Sequence, residues 1–435
     1  MTQDHASRRR RRLTATITDL EVAVQRAFLV GVELPGMSTV DAERSLDELA
    51  LLTDTAGSDP VDSELVRRKS LDPATYIGAG KAEELANVTR ALDIDVVIFD
   101  NQLTPAQQRN LQRLFGCDVV DREGVILDIF AQHATTKVGA IQVELALHRY
   151  NLPRLRGKGK SLSQQGAGVL ARGPGETKLE TDRRRILQRV SKLERELKDT
   201  VRHRETQRKA RRRSEIPQVS LVGYTNAGKS TLLNALTDAG VLVEDRLFAT
   251  LDSTVRRLEL PSGRQVLLAD TVGFVRRLPH HLVEAFQSTL AEVAEADLLI
   301  HVVDGSDPDP KGQIAAVREV LLEIGADQVP ELIVFNKADL VSPTSAERLA
   351  NLYPDSVMVS GLTGTGLANM LETVGALLES GLVTMTLEIP YTRGDIAAAA
   401  HRVGEVIEEK ADENGLILEV RLPPPVVAGF EEFRR

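Results

Sequence analysis

The chain has 435 residues, a formal net charge of −9 and a hydrophobic content of 42%. This length exceeds one ordinary domain, and the apolar content is sufficient for several packed cores. The single cysteine, Cys117, excludes an intrachain disulfide and a cysteine-rich metal site, as is typical of proteins in a reducing cytoplasm. No apolar run reaches the roughly 18 residues that a membrane-spanning helix needs. We therefore expect a cytoplasmic protein of several domains, and nothing in the sequence demands a dimer.

The first 137 residues divide into a tail and a predicted domain. Arginines occupy positions 8–12 with no apolar segment after them, so residues 1–24 are predicted to be a disordered basic tail rather than a secretory signal. In residues 25–137, strand-like apolar runs alternate with helical patterns, which predicts an N-terminal parallel α/β domain. The strands are predicted at Ala27–Leu34, Asp95–Phe99 and Cys117–Val120, and the helices at Ala82–Leu92, Pro105–Phe115 and Gly124–His133.

Residues 138–213 contain two helical segments around a glycine-rich stretch. The first segment is Gly139–Tyr150, and the second is a charged helix from about Glu176 to Arg213. Apolar residues follow the second helix at spacings of three or four, at Ile186, Val190, Leu193, Leu197 and Val201. The span from Arg154 to Arg185 has nine Lys or Arg against three Asp or Glu. A helix with one apolar seam needs a partner, so we predict an antiparallel helical hairpin with a basic tip. A long linker helix beside a disordered loop is the alternative.

The remainder of the chain is predicted to form two further domains. In residues 214–380, strands alternate with helices, which predicts a doubly wound, mostly parallel sheet. These strands are predicted at Val219–Gly223, Gln265–Asp270, Leu298–Asp304, Glu331–Asn336 and Ser356–Ser360. Residues 381–435 are predicted to be a small α+β domain of β-α-β order, with strands at Val383–Ile389 and Leu416–Leu422 and a helix near Asp395–Asn414.

A phosphate-binding motif follows the first strand of the third domain. It consists of Gly223, Tyr224, Thr225, Asn226, Ala227, Gly228, Lys229 and Ser230, and a helix continues from Thr231. This string matches G-x-x-x-x-G-K-S, in which glycines let backbone N–H groups converge on phosphate oxygens at a helix N-terminus. Lys229 is expected to reach the β- and γ-phosphates, and Ser230 is expected to bind Mg²⁺.

Three more motifs follow at the ends of later strands, and they predict GTP as the nucleotide. Their residues are Asp270-Thr271-Val272-Gly273, Asn336-Lys337-Ala338-Asp339 and Ser360-Gly361-Leu362. Asp270 can hold Mg²⁺ through water, and the Gly273 N–H can contact the γ-phosphate. The carboxylate of Asp339 can pair with the two N–H donors of guanine, which adenine lacks. Four motifs in this order at strand ends favour a P-loop GTPase domain.

A switch loop is predicted between the first two motifs. Its nucleotide-contacting residues are Phe248, Ala249, Thr250, Leu251 and Asp252. Thr250 is the preferred ligand for Mg²⁺ and the γ-phosphate, with Thr254 as the alternative. The predicted catalytic residues are therefore Lys229, Thr250 and Gly273, and the predicted metal ligands are Ser230, Thr250 and Asp270.

Two side chains near these motifs affect the expected activity. Phe274 occupies a position near which many GTPases place a water-orienting glutamine, and a phenyl ring cannot polarise water. Slow intrinsic hydrolysis is expected in consequence. Asn226 has two open roles: an oxygen ligand for K⁺ beside the phosphates, or hydrogen bonds that stabilise the loop.

Several long strings resemble the HflX family of GTPases over about residues 25–380. They are Tyr76–Lys81, Gln107–Leu111, Val120–Arg122, Leu127–Gln132, Gln142–Ala146, Leu162–Gly168 and Arg172–Arg184. The resemblance implies a GTPase that binds the large ribosomal subunit, with the hairpin near the peptidyl-transferase region of the rRNA. It also implies that stalled or idle ribosomes are split under stress.

The basic tip is where RNA contacts are expected. The predicted RNA-binding residues are Lys158, Lys160, Gln164, Gln165, Gly166, Arg172 and Gly173. No aromatic residues are interleaved with them, so contacts to the RNA backbone should dominate over base stacking. The alternative function is an RNA-remodelling NTPase of ribosome assembly, although a single P-loop argues against a motor with tandem modules.

Overall fold

The computed structural model describes residues 24–155, 178–212, 216–237, 247–248, 254–276, 290, 292–412, 415–422 and 424–435. Within this part of the chain, strands form three sheets of four, six and three strands. The first two sheets are mostly parallel and the third is antiparallel, so the predicted α/β class with an α+β C-terminal part is confirmed. The predicted domain limits stay predictions. No helix in the described part is long and apolar enough to cross a membrane.

The N-terminal sheet is entirely parallel, with the strand order β2-β1-β3-β4. Its strands are β1 Arg26–Glu33, β2 Asp59–Arg67, β3 Val96–Phe99 and β4 Asp118–Asp121. Its helices are α1 Thr39–Ala56, α2 Ala79–Ala91, α3 Pro105–Phe115 and α4 Arg122–His133. Helix α1 and strand β2 were not predicted from the sequence. Strand β2 is a partly exposed edge strand in which polar residues interrupt the apolar ones, so it lacks the apolar run by which the other strands were recognised.

The two predicted hairpin helices are present and pack against each other. They are α5 Lys137–Arg154 and α6 Lys178–Arg212, and residues 156–177 between them lie outside the described residues. Ile141, Leu145 and Leu193 form a small buried cluster between the two helices. Arg189 pairs with Glu144, with Nε 2.6 Å from Oε1, at the solvent side of this contact. The apolar seam of α6 therefore has the partner that its spacing demands.

The six-stranded sheet has the order β10-β9-β8-β5-β7-β6, and only β6 is antiparallel to its neighbour β7. Its strands are β5 Gln218–Gly223, β6 Thr254–Glu259, β7 Gln265–Asp270, β8 Leu298–Asp304, β9 Glu331–Asn336 and β10 Val357–Met358. Its described helices are α7 Lys229–Thr237, α8 Pro310–Glu323, α9 Pro343–Leu352 and α10 Leu367–Ser380. Neighbouring parallel strands place their carboxyl ends at one edge, and this brings the four nucleotide motifs together.

The order of elements in the C-terminal segment differs from the predicted order. Its elements are β11 Val383–Pro390, α11 Gly394–Val403, β12 Glu405–Asp412, β13 Gly415–Leu422 and the short helix α12 Pro424–Val427. The order is therefore β-α-β-β, and the helix predicted to continue to Asn414 ends before Gly404. Glu and Lys in β12 favour a helix locally, but pairing with β13 holds this segment as an edge strand.

The N-terminal sheet and the GTPase sheet share one hydrophobic cluster. It includes Leu29 and Phe130 from the first and Leu221 and Phe248 from the second. The rings of Phe130 and Phe248 meet edge to face, with centroids 4.7 Å apart. The C-terminal sheet has a separate core around Leu387 and Leu418. The first two sheets are therefore joined by apolar packing that the third does not share.

Candidate nucleotide-binding site

The P-loop connects β5 to α7 and surrounds the amino group of Lys229. Lys229 Nζ donates to the carbonyl oxygens of Gly223 at 3.1 Å and Tyr224 at 2.8 Å. Burial lowers the pKa of Lys229 to about 8, while the nearby Asp270 opposes that shift. A bound anion stabilises the positive charge of a buried ammonium group. The phosphates of a nucleotide are anions of this kind.

Two glycines of the P-loop allow close backbone approach. At Gly223, which has a φ of 151°, an added methyl group would overlap the carbonyl oxygen of Val302 on the adjacent strand β8. At Gly228, which has a φ of 90°, it would overlap the side-chain amide of Asn336. The motif therefore needs glycine at these two positions for steric reasons, as well as for turning the chain.

Hard oxygen donors for a divalent ion lie at the start of α7 and the end of β7. Ser230 Oγ donates to Asp270 Oδ2 at 2.8 Å, and Asp270 is fully buried. Thr271 N–H donates to the other carboxylate oxygen at 2.9 Å. A hydroxyl and a carboxylate at this spacing suit Mg²⁺, so the two predicted ligands fit the metal that the motifs imply.

The second motif lies directly against the P-loop. A Cβ on Gly273 would come within 2.7 Å of Thr225 Cγ2 and 3.1 Å of Lys229 Nζ, so this glycine and the P-loop lysine are immediate neighbours. Phe274 N–H donates to the Gly223 carbonyl at 3.1 Å, and Thr225 N–H donates to the Phe274 carbonyl at 2.7 Å. The phenyl ring of Phe274 is buried in the shared cluster and supplies no polar group to the site.

The base-recognition motifs are linked to the P-loop by Asn336. Its Nδ2 donates to the Ala227 carbonyl at 2.9 Å, and its Oδ1 accepts from Gly361 N–H at 2.9 Å. Ser360 Oγ donates to Asp339 Oδ1 at 2.5 Å, so the carboxylate that is predicted to bind guanine has a fixed orientation. Lys337 adopts a φ of 60°, and its Nζ lies 2.7 Å from Asp304 Oδ2.

Not every predicted nucleotide-binding residue is described or faces the P-loop. Ala249, Thr250, Leu251 and Asp252 lie outside the described residues. Phe248 is buried against Phe130 of the N-terminal part, and Leu362 is 80% exposed. The alternative threonine, Thr254, begins β6 and is in register with Asp270. The RNA-binding residues predicted at the tip, from Lys158 to Gly173, are also outside the described part.

Comparison with known proteins agrees with this geometry. Three family models match successive parts of the chain: GTP-binding GTPase N-terminal at residues 43–131, GTP-binding GTPase middle region at 133–211, and 50S ribosome-binding GTPase at 218–337. GTPase HflX of Caldanaerobacter subterraneus subsp. tengcongensis is 45% identical over 392 residues, which cover 90% of each chain. The chain belongs to the HflX family of GTPases.

Other HflX relatives match over a similar extent. GTPase HflX of Escherichia coli is 42% identical over 381 residues, which cover 87% of this chain and 89% of the relative. Among solved structures, a GTP-binding protein from the archaeon Sulfolobus solfataricus in complex with GDP is 26% identical. That match covers 82% of this chain and 99% of the archaeal chain, with a TM-score of 0.41.

Membership of the HflX family establishes this chain as a P-loop GTPase that hydrolyses GTP. GTPases of this kind generally use Mg²⁺ with the bound nucleotide. The geometry adds a feature that the sequence did not reveal: Tyr224 of the P-loop donates its hydroxyl hydrogen to Glu48 of α1, 176 residues away. Nothing in the spacing of motifs could have identified Glu48, because it lies in a generic amphipathic helix.

Proposed function

We propose that this HflX GTPase binds the large ribosomal subunit through its helical hairpin and splits or rescues stalled ribosomes under stress. The observation that best supports the proposal is the position of the hairpin. Helix α6 ends at Arg212 and β5 of the GTPase sheet begins at Gln218, so a short connection joins the hairpin to the nucleotide domain. The description of the matched GTPase model as 50S ribosome-binding agrees with this partner. The proposed setting is the cytoplasm, with a monomeric protein.

The composition of the tip supports contact with folded RNA near the peptidyl-transferase region. Lys158, Lys160 and Arg172 would neutralise phosphates, and glycines would let backbone N–H groups approach them closely. Polar contacts are assigned to Gln164, Gln165, Gly166 and Gly173. Binding of this kind releases counterions and should therefore weaken steeply as salt is raised.

The proposed switch combines residues that lie together at the P-loop with Thr250 of the predicted switch loop. Lys229 and the Gly273 N–H would bind the γ-phosphate from two sides, and Ser230, Asp270 and Thr250 would hold Mg²⁺. When bound, the metal would neutralise charge on the β- and γ-phosphate oxygens. Because Phe274 offers no group that orients water, rapid hydrolysis would require the ribosome to supply or position one. Loss of the γ-phosphate would then release the loops and end binding.

Hydrolysis measurements with separated ribosomal components test this proposal. Purified protein should show slow GTP turnover alone and strong stimulation by isolated large subunits, with little effect of small subunits. Stimulation by naked rRNA instead would support the alternative function, an RNA-remodelling NTPase of ribosome assembly. If no component stimulates turnover, the ribosome-gated switch is wrong.

A charge-matched pair of triple variants distinguishes RNA binding by the tip residues from a general effect of the net charge of the protein. Replacing Lys158, Lys160 and Arg172 by alanine should abolish stimulation while leaving the slow basal rate unchanged. The control removes the same charges from three exposed positions away from the hairpin, Lys69, Lys311 and Arg402. Equal loss of stimulation in both triple variants would show that net charge, and not the tip, determines binding.

A monovalent cation is proposed to assist the P-loop through Asn226. This residue adopts a φ of 59° at an exposed position of the loop, and its side-chain oxygen is a suitable ligand for K⁺. We expect GTP turnover to be faster in potassium than in sodium at equal ionic strength, and the difference to vanish in Asn226→Ala. Equal rates in the two salts would contradict the proposal and leave Asn226 as a loop-stabilising residue.

A further inference from the structure

A hydrogen-bonded chain of side chains connects the P-loop to the N-terminal domain. Tyr224 is only 7% exposed, and its hydroxyl donates to Glu48 Oε1 on α1 at 2.5 Å. The same hydroxyl accepts a hydrogen bond from the backbone N–H of Arg276 at 2.7 Å. Burial, followed by the charge of Glu48, raises the pKa of Tyr224, so the phenol remains protonated and can act as this donor.

Glu48 also forms an ion pair with the buried Arg122. Its Oε2 lies 2.7 Å from Nη2 of Arg122, and Nη1 of the same guanidinium donates to Asp100 Oδ1 at 2.8 Å. Ser45 Oγ donates to the second oxygen of Asp100 at 2.7 Å. Burial opposes the charge on Arg122, but the two carboxylates raise its pKa above the ordinary value. The Glu48 carboxylate, whose side chain is 11% exposed, therefore contacts a guanidinium through one oxygen and the tyrosine hydroxyl through the other.

The side chain of Arg276 leads back to the same helix. Its Nη2 lies 2.5 Å from Asp309 Oδ2, and Nη1 of Arg44 on α1 lies 3.1 Å from that oxygen. The backbone and the side chain of Arg276 are therefore both connected to α1, through Tyr224 and through Asp309. Because Arg276 is three residues after Gly273, this anchoring limits where the Gly273 N–H can lie relative to Lys229.

We propose that Glu48 is a positioning residue for GTP hydrolysis. Through the Tyr224 hydroxyl it holds Arg276, and thereby sets the Gly273 N–H beside Lys229 where the γ-phosphate must bind. The N-terminal domain thus contributes to turnover in the absence of any ribosome. The inference depends on the GTPase activity alone, so failure of the ribosome proposal would leave it intact.

The test uses full-length variants at the two ends of the hydrogen bond. Tyr224→Phe and Glu48→Ala should each lower kcat for ribosome-free GTP hydrolysis by about tenfold, the effect of losing one buried hydrogen bond to a charged group. The affinity for GDP should stay within about twofold of the original value, because GDP has no γ-phosphate for the Gly273 N–H to bind. The double variant should be no slower than either single variant, since both remove the same interaction.

Two controls distinguish positioning from loss of stability. Glu48→Gln keeps an acceptor for the tyrosine hydroxyl and should restore most of the rate. Tyr150 is the matched control: it is 8% exposed and donates to Asp121 Oδ1 at 2.8 Å, within the N-terminal part and away from the P-loop. Tyr150→Phe should lower the thermal unfolding temperature as Tyr224→Phe does, yet leave kcat unchanged.

The proposal is overturned by any of three results. These are an unchanged or raised kcat in folded Tyr224→Phe, additive losses in the double variant, or an equal loss of kcat in Tyr150→Phe. Thermal unfolding of each variant establishes that it is folded at the assay temperature. If Tyr224→Phe does not fold, Glu48→Ala and Glu48→Gln provide the same comparison from the other side of the bond.

Discussion

Replacing Asp339 with asparagine is expected to shift the preferred nucleotide from GTP to xanthosine triphosphate (XTP). The carboxylate would accept two hydrogen bonds from the N1–H and the 2-amino group of guanine. Asparagine offers one acceptor and one donor, which match the N1–H and the 2-oxo group of xanthine. Ser360 Oγ can still donate to the remaining side-chain oxygen, so the side chain should keep its orientation.

The expected size follows from three changes: the hydrogen bond to the 2-amino group is lost, two N–H donors then face each other, and the remaining bond to N1–H is no longer made to a charged group. GTP affinity should fall by roughly 10²–10³-fold, and XTP should bind the variant more tightly than it binds the original chain by a similar factor. Competition against a fluorescent nucleotide measures both values, with ATP as a nucleotide that neither protein should prefer. Asp355→Asn makes the same change at an exposed position outside the motif and should alter neither affinity. A variant that still prefers GTP would show that Asp339 does not recognise the base.

Replacing Gly223 with alanine is expected to destabilise the GTPase sheet severely. The added methyl group would overlap the Val302 carbonyl oxygen, and that strand is buried at the centre of the sheet, where it cannot move away. The φ of 151° adds backbone strain for any residue with a Cβ. Together these two effects should lower the free energy of unfolding by about 3–5 kcal/mol. Nucleotide binding should weaken because the P-loop is displaced.

Gly325→Ala provides the matched control for this substitution. Gly325 has a φ of 72°, but no atom lies within 4 Å of the position where its Cβ would be. The free energy of unfolding of this variant should therefore fall by only about 1–2 kcal/mol, the backbone cost of a positive φ. The variant should bind nucleotide normally. Urea unfolding monitored by circular dichroism measures both variants. If they are equally stable, the close approach of β5 and β8 does not constrain Gly223.

The sequence predicted best the strands and motifs that consist of residues adjacent to one another in the chain. Strands β7, β8 and β9 have the predicted limits, because each is a mostly apolar run, and β7 and β9 also end at a nucleotide motif. The parallel arrangement then determines that the motifs share one edge. Strand β12 shows the opposite situation: its own residues favour a helix, and only pairing with a distant strand makes it extended.

Links between domains were beyond prediction for a physical reason. A glutamate in an amphipathic helix has no local mark that distinguishes a solvated carboxylate from one that binds a tyrosine in another domain. The pairing of Tyr224 with Glu48 depends on how two folded sheets meet. Tyr224 was predicted as a nucleotide-binding residue from its place in the P-loop motif, and the motif gives no sign that its hydroxyl donates to Glu48.

The shared cluster of buried side chains has a consequence for the folding of the chain. Phe130 and Phe248 pack together across the junction of the first two sheets, and the surrounding side chains form one continuous core. A chain cut between the hairpin and β5 would expose apolar surface on both pieces. We therefore expect the N-terminal sheet and the GTPase sheet to unfold as a single cooperative unit, and the C-terminal sheet, with its own core, to unfold separately. Unfolding of the full chain should then show no separate transition for the parts on either side of the predicted boundary between the hairpin and the GTPase domain.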